Sequence, residues 1–350
     1  MLTPASAKFA PEFRPVAHLA PLPRSNARSA TRPEITPCNA GFVHVAREAA
    51  SSGVCACPAS GQPRRTSRGR CSLTRVKLDY FATPGPLTEL TVDQTSAIRA
   101  LGLTPAELCR VAQRLLVAPP DATGAGLGEQ RFAERNTRPA TALFARALEL
   151  DPSTPLISVR PVERRVVGTC RHFAVLATAF LRAAAVPARA RCGFATYFVP
   201  PKKVDHWIVE YWSSDEGRWI RTDPEYLDRE TPTQATTDDL REGEFLTAGE
   251  AWQLVRAGTQ DPLDFGVFGT DNWGAGEIRG NAMRDLASLA RKIETLPWDE
   301  WGPMEDSYNN KTGPKFDLLI DVLAAATADP DHSDLDPVYA QFEVPPNLIR

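Results

Sequence analysis

The pattern that most constrains this chain lies between residues 163 and 228, where a helix-length apolar stripe precedes aromatic, β-branched runs joined by a polar turn. Phe173, Leu176, Ala177, Phe180 and Leu181 recur at helical spacing. Gly168-Thr169 supplies a turn and cap ahead of them, and Val186-Pro187 ends the helix. Ala188 to Phe194 reads as a strand with Cys192 inside it. Asp205 to Trp212 reads as a second strand and Arg218 to Asp223 as a third, closed by Pro224. The polar run Ser213-Ser214-Asp215-Glu216-Gly217 makes a hairpin of the last two. A turn centred near Ser214 and Asp215 makes paired positions sum to about 429, which sets His206 opposite Asp223 on one face.

Cys170 falls in the first turn of the helix. Unpaired backbone N–H groups and the helix dipole favour negative charge there, so a lowered thiol pKa is expected, and the same N–H groups can donate to an oxyanion. An imidazole beside a carboxylate is held in one tautomer and stabilised when protonated, as the general base for a thiol requires. A helix packed on the face bearing His206 brings Cys170 to the other ring nitrogen. Taken singly, these residues have ordinary explanations: a buried cysteine, a hydrogen-bonded histidine, a turn-forming aspartate before proline. Together they point to a nucleophile, its base and the group that orients the base. His172, two positions beyond Cys170, faces elsewhere on the helix and reads as structural. Arg171 reads as structural too, with binding of an acidic substrate group as the functional alternative. Trp207, beside His206, is the candidate wall of a substrate cleft.

The runs GTCRHFAVLATAFLRAAAVPARARCGFATYF, DHWIVEYW and RWIRTDP resemble the transglutaminase-like superfamily over about residues 163–226. The resemblance implies an α+β fold with the nucleophile helix packed on an antiparallel sheet and further helices after it. It also implies a papain-like triad of Cys170, His206 and Asp223. The activity expected is acyl transfer from a protein or peptide-like amide through a thioester, ending in hydrolysis or transamidation. No cofactor is implied. An arylamine acetyltransferase shares the triad, but its Arg-Gly-Gly-Cys run is replaced here by Gly168-Thr169 before the cysteine. Thr247 to Leu289 and Leu296 to Trp301 are similar to actinobacterial-type members of the group with no assigned substrate. The rival from another class is a non-catalytic protein-interaction module that keeps the fold.

Charge and cysteine usage narrow the alternatives. Residues 1–76 hold ten Arg and one Lys against three Glu, a net of +8, so the remainder carries −11 of the overall −3. An acidic folded part argues against nucleic-acid binding. Residues 1–75 are rich in Pro, Arg and Ser and read as a disordered basic segment: a transit peptide, an interaction tail, or upstream sequence from a wrongly chosen start codon, the last favoured by the abrupt change in composition. The transglutaminase-like domain is expected over 76–310 and a C-terminal helix and tail over 311–350. No apolar run is long enough for a membrane span. Of seven cysteines only Cys109, Cys170 and Cys192 fall in the globular part, which fits free thiols in a reducing compartment, the cytoplasm. No Cys-x-x-Cys pair or calcium-loop spacing occurs, so no metal is expected. Oligomeric state is left open.

Overall fold

The computed structural model describes residues 77–349, and the basic segment 1–75 lies outside them. Helices α1 (Val92–Ala100) and α2 (Pro105–Leu115) each start at a threonine that closes a capping box, with Gln94 for Thr91 and Glu107 for Thr104. The second of these boxes is legible in Thr104-Pro105-Ala106-Glu107, where two unpaired first-turn N–H groups are satisfied reciprocally. Leu108, Val111, Ala112 and Leu115 form its buried stripe. The chain then enters strand β1 (Leu116–Val117), which pairs in parallel with β2 (Val166–Val167). Pro119 and Pro120 then open a short helix α3 (Pro119–Gly124). Proline is at home in a first turn, where its missing N–H would have no partner. Helix α4 (Ala140–Leu150) follows, with Leu143, Phe144 and Ala147 buried.

The helix that begins at Cys170, α5 (Cys170–Ala183), is buried along nearly its whole length and packs on β3 (Ala188–Val199) and β4 (Lys202–Ser213). With β5 (Arg218–Thr222) and β6 (Phe245–Thr247) these make an antiparallel sheet in the order β5-β4-β3-β6. A fifth strand, β7 (Phe265–Gly266), runs parallel to β4 at Lys203 and Val204. The fold is therefore α+β. Strands β3 and β4 extend beyond the expected limits and meet at Pro200-Pro201, with Val199 paired to Lys202. The hairpin register also differs from expectation. Val209 pairs with Thr222 and Ser213 with Arg218, so the pairing extends to Ile208, not His206, opposite Asp223. The turn is centred one residue later than supposed, and the resulting offset of two positions along β4 keeps His206 on the same face.

Two apolar clusters flank the sheet. One gathers α2, α4 and α5 with Ala190, Cys192, Trp207 and Val209. The other gathers α6 (Ala248–Arg256), α7 (Ala275–Arg291) and α9 (Pro314–Ala328), together with Phe194, Phe265, Trp301, Tyr339 and Phe342. Short helices α8 (Met304–Tyr308), between α7 and α9, and α10 (Asp336–Tyr339), after α9, complete the C-terminal run. Beyond the short β6, helix α7 covers the free edge of β3: Cys192 N–H donates to Asp285 Oδ1 (2.9 Å), and Ser288 Oγ donates to Ala190 O (2.7 Å). An otherwise open strand edge is satisfied by side chains. Gly193, paired with both His206 and Thr247, lets β6 approach closely, since a Cβ there would lie 2.1 Å from Leu246 O. No described helix is long and apolar enough to cross a membrane.

Candidate active site

The start of α5 is fastened before any chemistry is considered. Gly168 N–H donates to Val117 O (3.0 Å), tying the preceding turn to the β1–β2 pair. Thr169 N–H donates to His172 Nδ1 (3.0 Å), so His172 plays the part usually taken by a glutamate in a capping box. Burial, reinforced by the Arg171 charge, pushes the His172 pKa down to about 3, and the ring is a neutral acceptor at physiological pH. Cys170 is thereby set at the first helical position. It is half-buried, whereas Cys109 and Cys192 are fully buried.

Cys170 Sγ, a His206 ring nitrogen and a Glu225 carboxylate oxygen lie within 4.8 Å of one another. His206 Nε2 is paired with Asp223 Oδ2 at 2.9 Å, so Nδ1 is the ring nitrogen left without that partner and available to the nearby thiol. Asp223 is fully buried and each of its oxygens is used. Oδ2 also accepts from the Tyr197 hydroxyl at 2.6 Å, and Oδ1 accepts from the N–H groups of Glu225 (3.0 Å) and Tyr226 (3.3 Å). The second pair winds the chain after Pro224 into an Asx-type turn that carries Glu225 back toward the sulfur. Phe198, Tyr226 and Tyr197 meet the imidazole edge-on, with centroids 4.9, 6.3 and 6.4 Å away.

Electrostatics follow from this enclosure. Burial alone would lower the His206 pKa, but the Asp223 charge and hydrogen bond, with the Cys170 contact, outweigh it and hold the ring well above its ordinary value. The ring is a stronger base than free imidazole, which favours removal of the thiol proton. The expectation of a lowered thiol pKa is not met. Burial pushes Cys170 up, with the His206 hydrogen bond and charge working against it. Position at a helix start is outweighed here by burial of the sulfur.

Two residues expected at a substrate surface are elsewhere. Arg171 is fully buried, donating through Nε to Glu294 O (2.8 Å) and through Nη1 to Arg138 O (2.7 Å), and it braces the start of α5 against the segments before α4 and after α7. Trp207 is fully buried in the cluster with Cys192 and Val209, because its place on β4 sends it to the sheet face opposite His206. Neither touches solvent, so neither can contact substrate. The residues that do surround the ring, Tyr197, Phe198, Glu225 and Tyr226, were not singled out in the sequence. Tyr197 and Phe198 lie past the expected end of β3, and Glu225 and Tyr226 lie in a turn with no periodic pattern.

Tyr197→Phe is expected to destabilise the protein by about 1.5–3 kcal/mol, because it deletes a buried hydrogen bond to a carboxylate. Equilibrium urea unfolding measures this, and a loss below about 0.5 kcal/mol would mean that the remaining donors hold Asp223 unaided.

Residues 149–224 match the family model described as the transglutaminase-like superfamily. This segment belongs to that superfamily. The transglutaminase-like core runs from the end of α4 through β5, so it contains Cys170, His206 and Asp223 and stops just before Glu225. Among solved structures, a Cytophaga hutchinsonii protein provisionally named a cysteine protease is similar at 19% identity, over 51% of this chain and 54% of that one, with a TM-score of 0.17. The chain thus spans about half the length of that structure. No curated protein matches it significantly. The family match and the Cys170–His206 contact together support cysteine-based catalysis.

Proposed function

We propose that the chain is a cysteine acyl-transfer enzyme acting on a protein or peptide-like amide. The observation that carries this reading is the placement of Cys170 Sγ within 4.8 Å of the His206 ring, which is itself hydrogen-bonded to Asp223 and through it to Tyr197, with the sulfur end half-exposed. His206 takes the thiol proton, and the thiolate adds to the substrate carbonyl carbon, whose π electrons move onto oxygen. Collapse of that oxyanion expels the amine, which takes the proton held by His206, and leaves a Cys170 thioester. Water or an amine then adds to the thioester as His206 receives its proton, and collapse of the second oxyanion breaks the Sγ–C bond, releasing the acid or new amide while the sulfur regains the proton from His206. Asp223 holds the ring and stabilises its charged form throughout. The free thiols Cys109, Cys170 and Cys192 agree with a cytoplasmic setting.

Alkylation by iodoacetamide tests this against a non-catalytic module. Cys170 should react fastest. Burial pushes the Cys109 thiol up to about 12 and holds Cys192 well above its ordinary value, so both should stay inert in the folded protein. His206→Ala should slow the Cys170 reaction about 10²-fold. Equal, slow labelling of all three cysteines would instead mark a binding module.

A further inference from the structure

We propose that Glu225, in its neutral form, donates its O–H to the oxyanion formed when Cys170 adds to a substrate carbonyl. It would be the second donor beside the Cys170 backbone N–H at the start of α5. This rests on the acyl-transfer reading above and adds to it a residue that lies outside the matched family segment.

The geometry is favourable. An oxyanion stands two bonds from the sulfur, and an effective donor stands about 3 Å from the oxyanion. A carboxyl oxygen within 4.8 Å of Sγ is close enough to reach an oxyanion two bonds from that sulfur. No hydrogen bond or ion pair engages that carboxyl among the described residues, and its backbone is clasped by Asp223 Oδ1, so the group is aimed but unspent.

The groups around it keep the proton in place. From β4 it faces His206, whose charge is already matched by Asp223. From α5 it faces Cys170, and from β3 Tyr197. On its own segment lie Asp223, Tyr226 and Arg229, and α3 contributes Asp121. Arg229, the nearby guanidinium, is engaged with Asp121 at 2.9 Å and lies over the Tyr226 ring. Burial raises the Glu225 pKa to about 7, with the His206 charge opposing and Asp223 adding to it. Below that value the group is a donor. Above it the group is a carboxylate that repels the oxyanion.

In the step itself the Sγ–C bond forms, the carbonyl π pair becomes the oxyanion lone pair, and the Glu225 proton stays on Glu225 while hydrogen-bonded to it. No net proton leaves the carboxyl, and none is needed from solvent.

The test uses p-nitrophenyl acetate with the full chain, reading acetylation of Cys170 as a burst of p-nitrophenol across pH, with Cys170→Ala as the blank and a melting temperature for each variant. Both wild type and Glu225→Gln need neutral His206, so the expected signature is relative: wild-type acylation should fall against that of Glu225→Gln as pH rises through about 7. The amide N–H of Glu225→Gln donates at every pH and does not share that relative decline. Glu225→Leu should acylate about 10²-fold more slowly at low pH. A Glu225→Gln profile that runs parallel to that of wild type, or a Glu225→Leu rate within about threefold of it, overturns the role of Glu225 while leaving Cys170 as nucleophile. Absence of any Cys170-dependent burst in the wild type removes the acyl-transfer reading and this inference with it.

Discussion

Asp223→Asn is expected to lower turnover about 10³- to 10⁴-fold in a protein that still folds. Every partner of this carboxylate is a donor. Oδ2 receives the Tyr197 hydroxyl and His206 Nε2, and Oδ1 receives the N–H groups of Glu225 and Tyr226. An amide has one acceptor and one donor. If its oxygen faces Tyr197 and His206, its NH₂ opposes two backbone N–H groups. If it flips, its NH₂ opposes the histidine and selects the tautomer with Nε2 unprotonated, which places the proton on Nδ1 and blocks acceptance from Cys170. Either way the ring loses the charge that keeps its pKa high. Steady-state turnover of an acyl substrate measures the loss, and turnover within about tenfold of wild type would show that the carboxylate charge is not required.

The same substitution has a sign-determined effect on stability. Because the folded His206 pKa lies above its ordinary value of 6.5, the pair's contribution is complete below that value and is lost as pH rises through the raised folded one. Asp223→Asn should therefore cost most on the acidic side of neutrality, and its stability difference from wild type should shrink as pH rises.

Local chemistry was the legible part of this chain. The capping box at Thr104, the stripe of α5 and the existence of the β-branched hairpin depend on neighbours a few positions apart, and each is present in the fold. The hairpin register was read two positions off along β4 because the turn length cannot be counted from polarity alone, yet the period of two left His206 on the correct face. Burial of Arg171 and Trp207 was not legible. A cationic residue beside a nucleophile and a tryptophan beside a base look like binding groups until the backbone carbonyls of Arg138 and Glu294, and the packing against Cys192, come from distant parts of the chain. Tyr197 and Glu225 were missed for the same reason. Their importance comes from a tight turn at Pro200-Pro201 and from the two oxygens of Asp223, not from any spacing along the sequence.

Asp285→Ala should be the most destabilising single change away from the active site, by about 3–5 kcal/mol, or about 10 °C in melting temperature. Asp285 is fully buried. It accepts from Arg191 Nε and Nη2 at 3.0 and 2.9 Å and from Cys192 N–H at 2.9 Å, so its removal leaves Arg191 to share Glu210 (3.0 Å) with two other arginines and uncaps the edge of β3 next to Gly193, the partner of His206. A double-mutant cycle separates these losses. Arg191→Met added to Asp285→Ala removes the buried cation that is left in excess, and Glu210 still keeps Arg189 at 2.6 Å and Arg221 at 2.9 Å, so no buried charge is left alone. The double variant should therefore unfold at a higher urea concentration than Asp285→Ala alone. If the two losses simply add, the excess cation is not the source of the cost, and the uncapped strand edge must carry it.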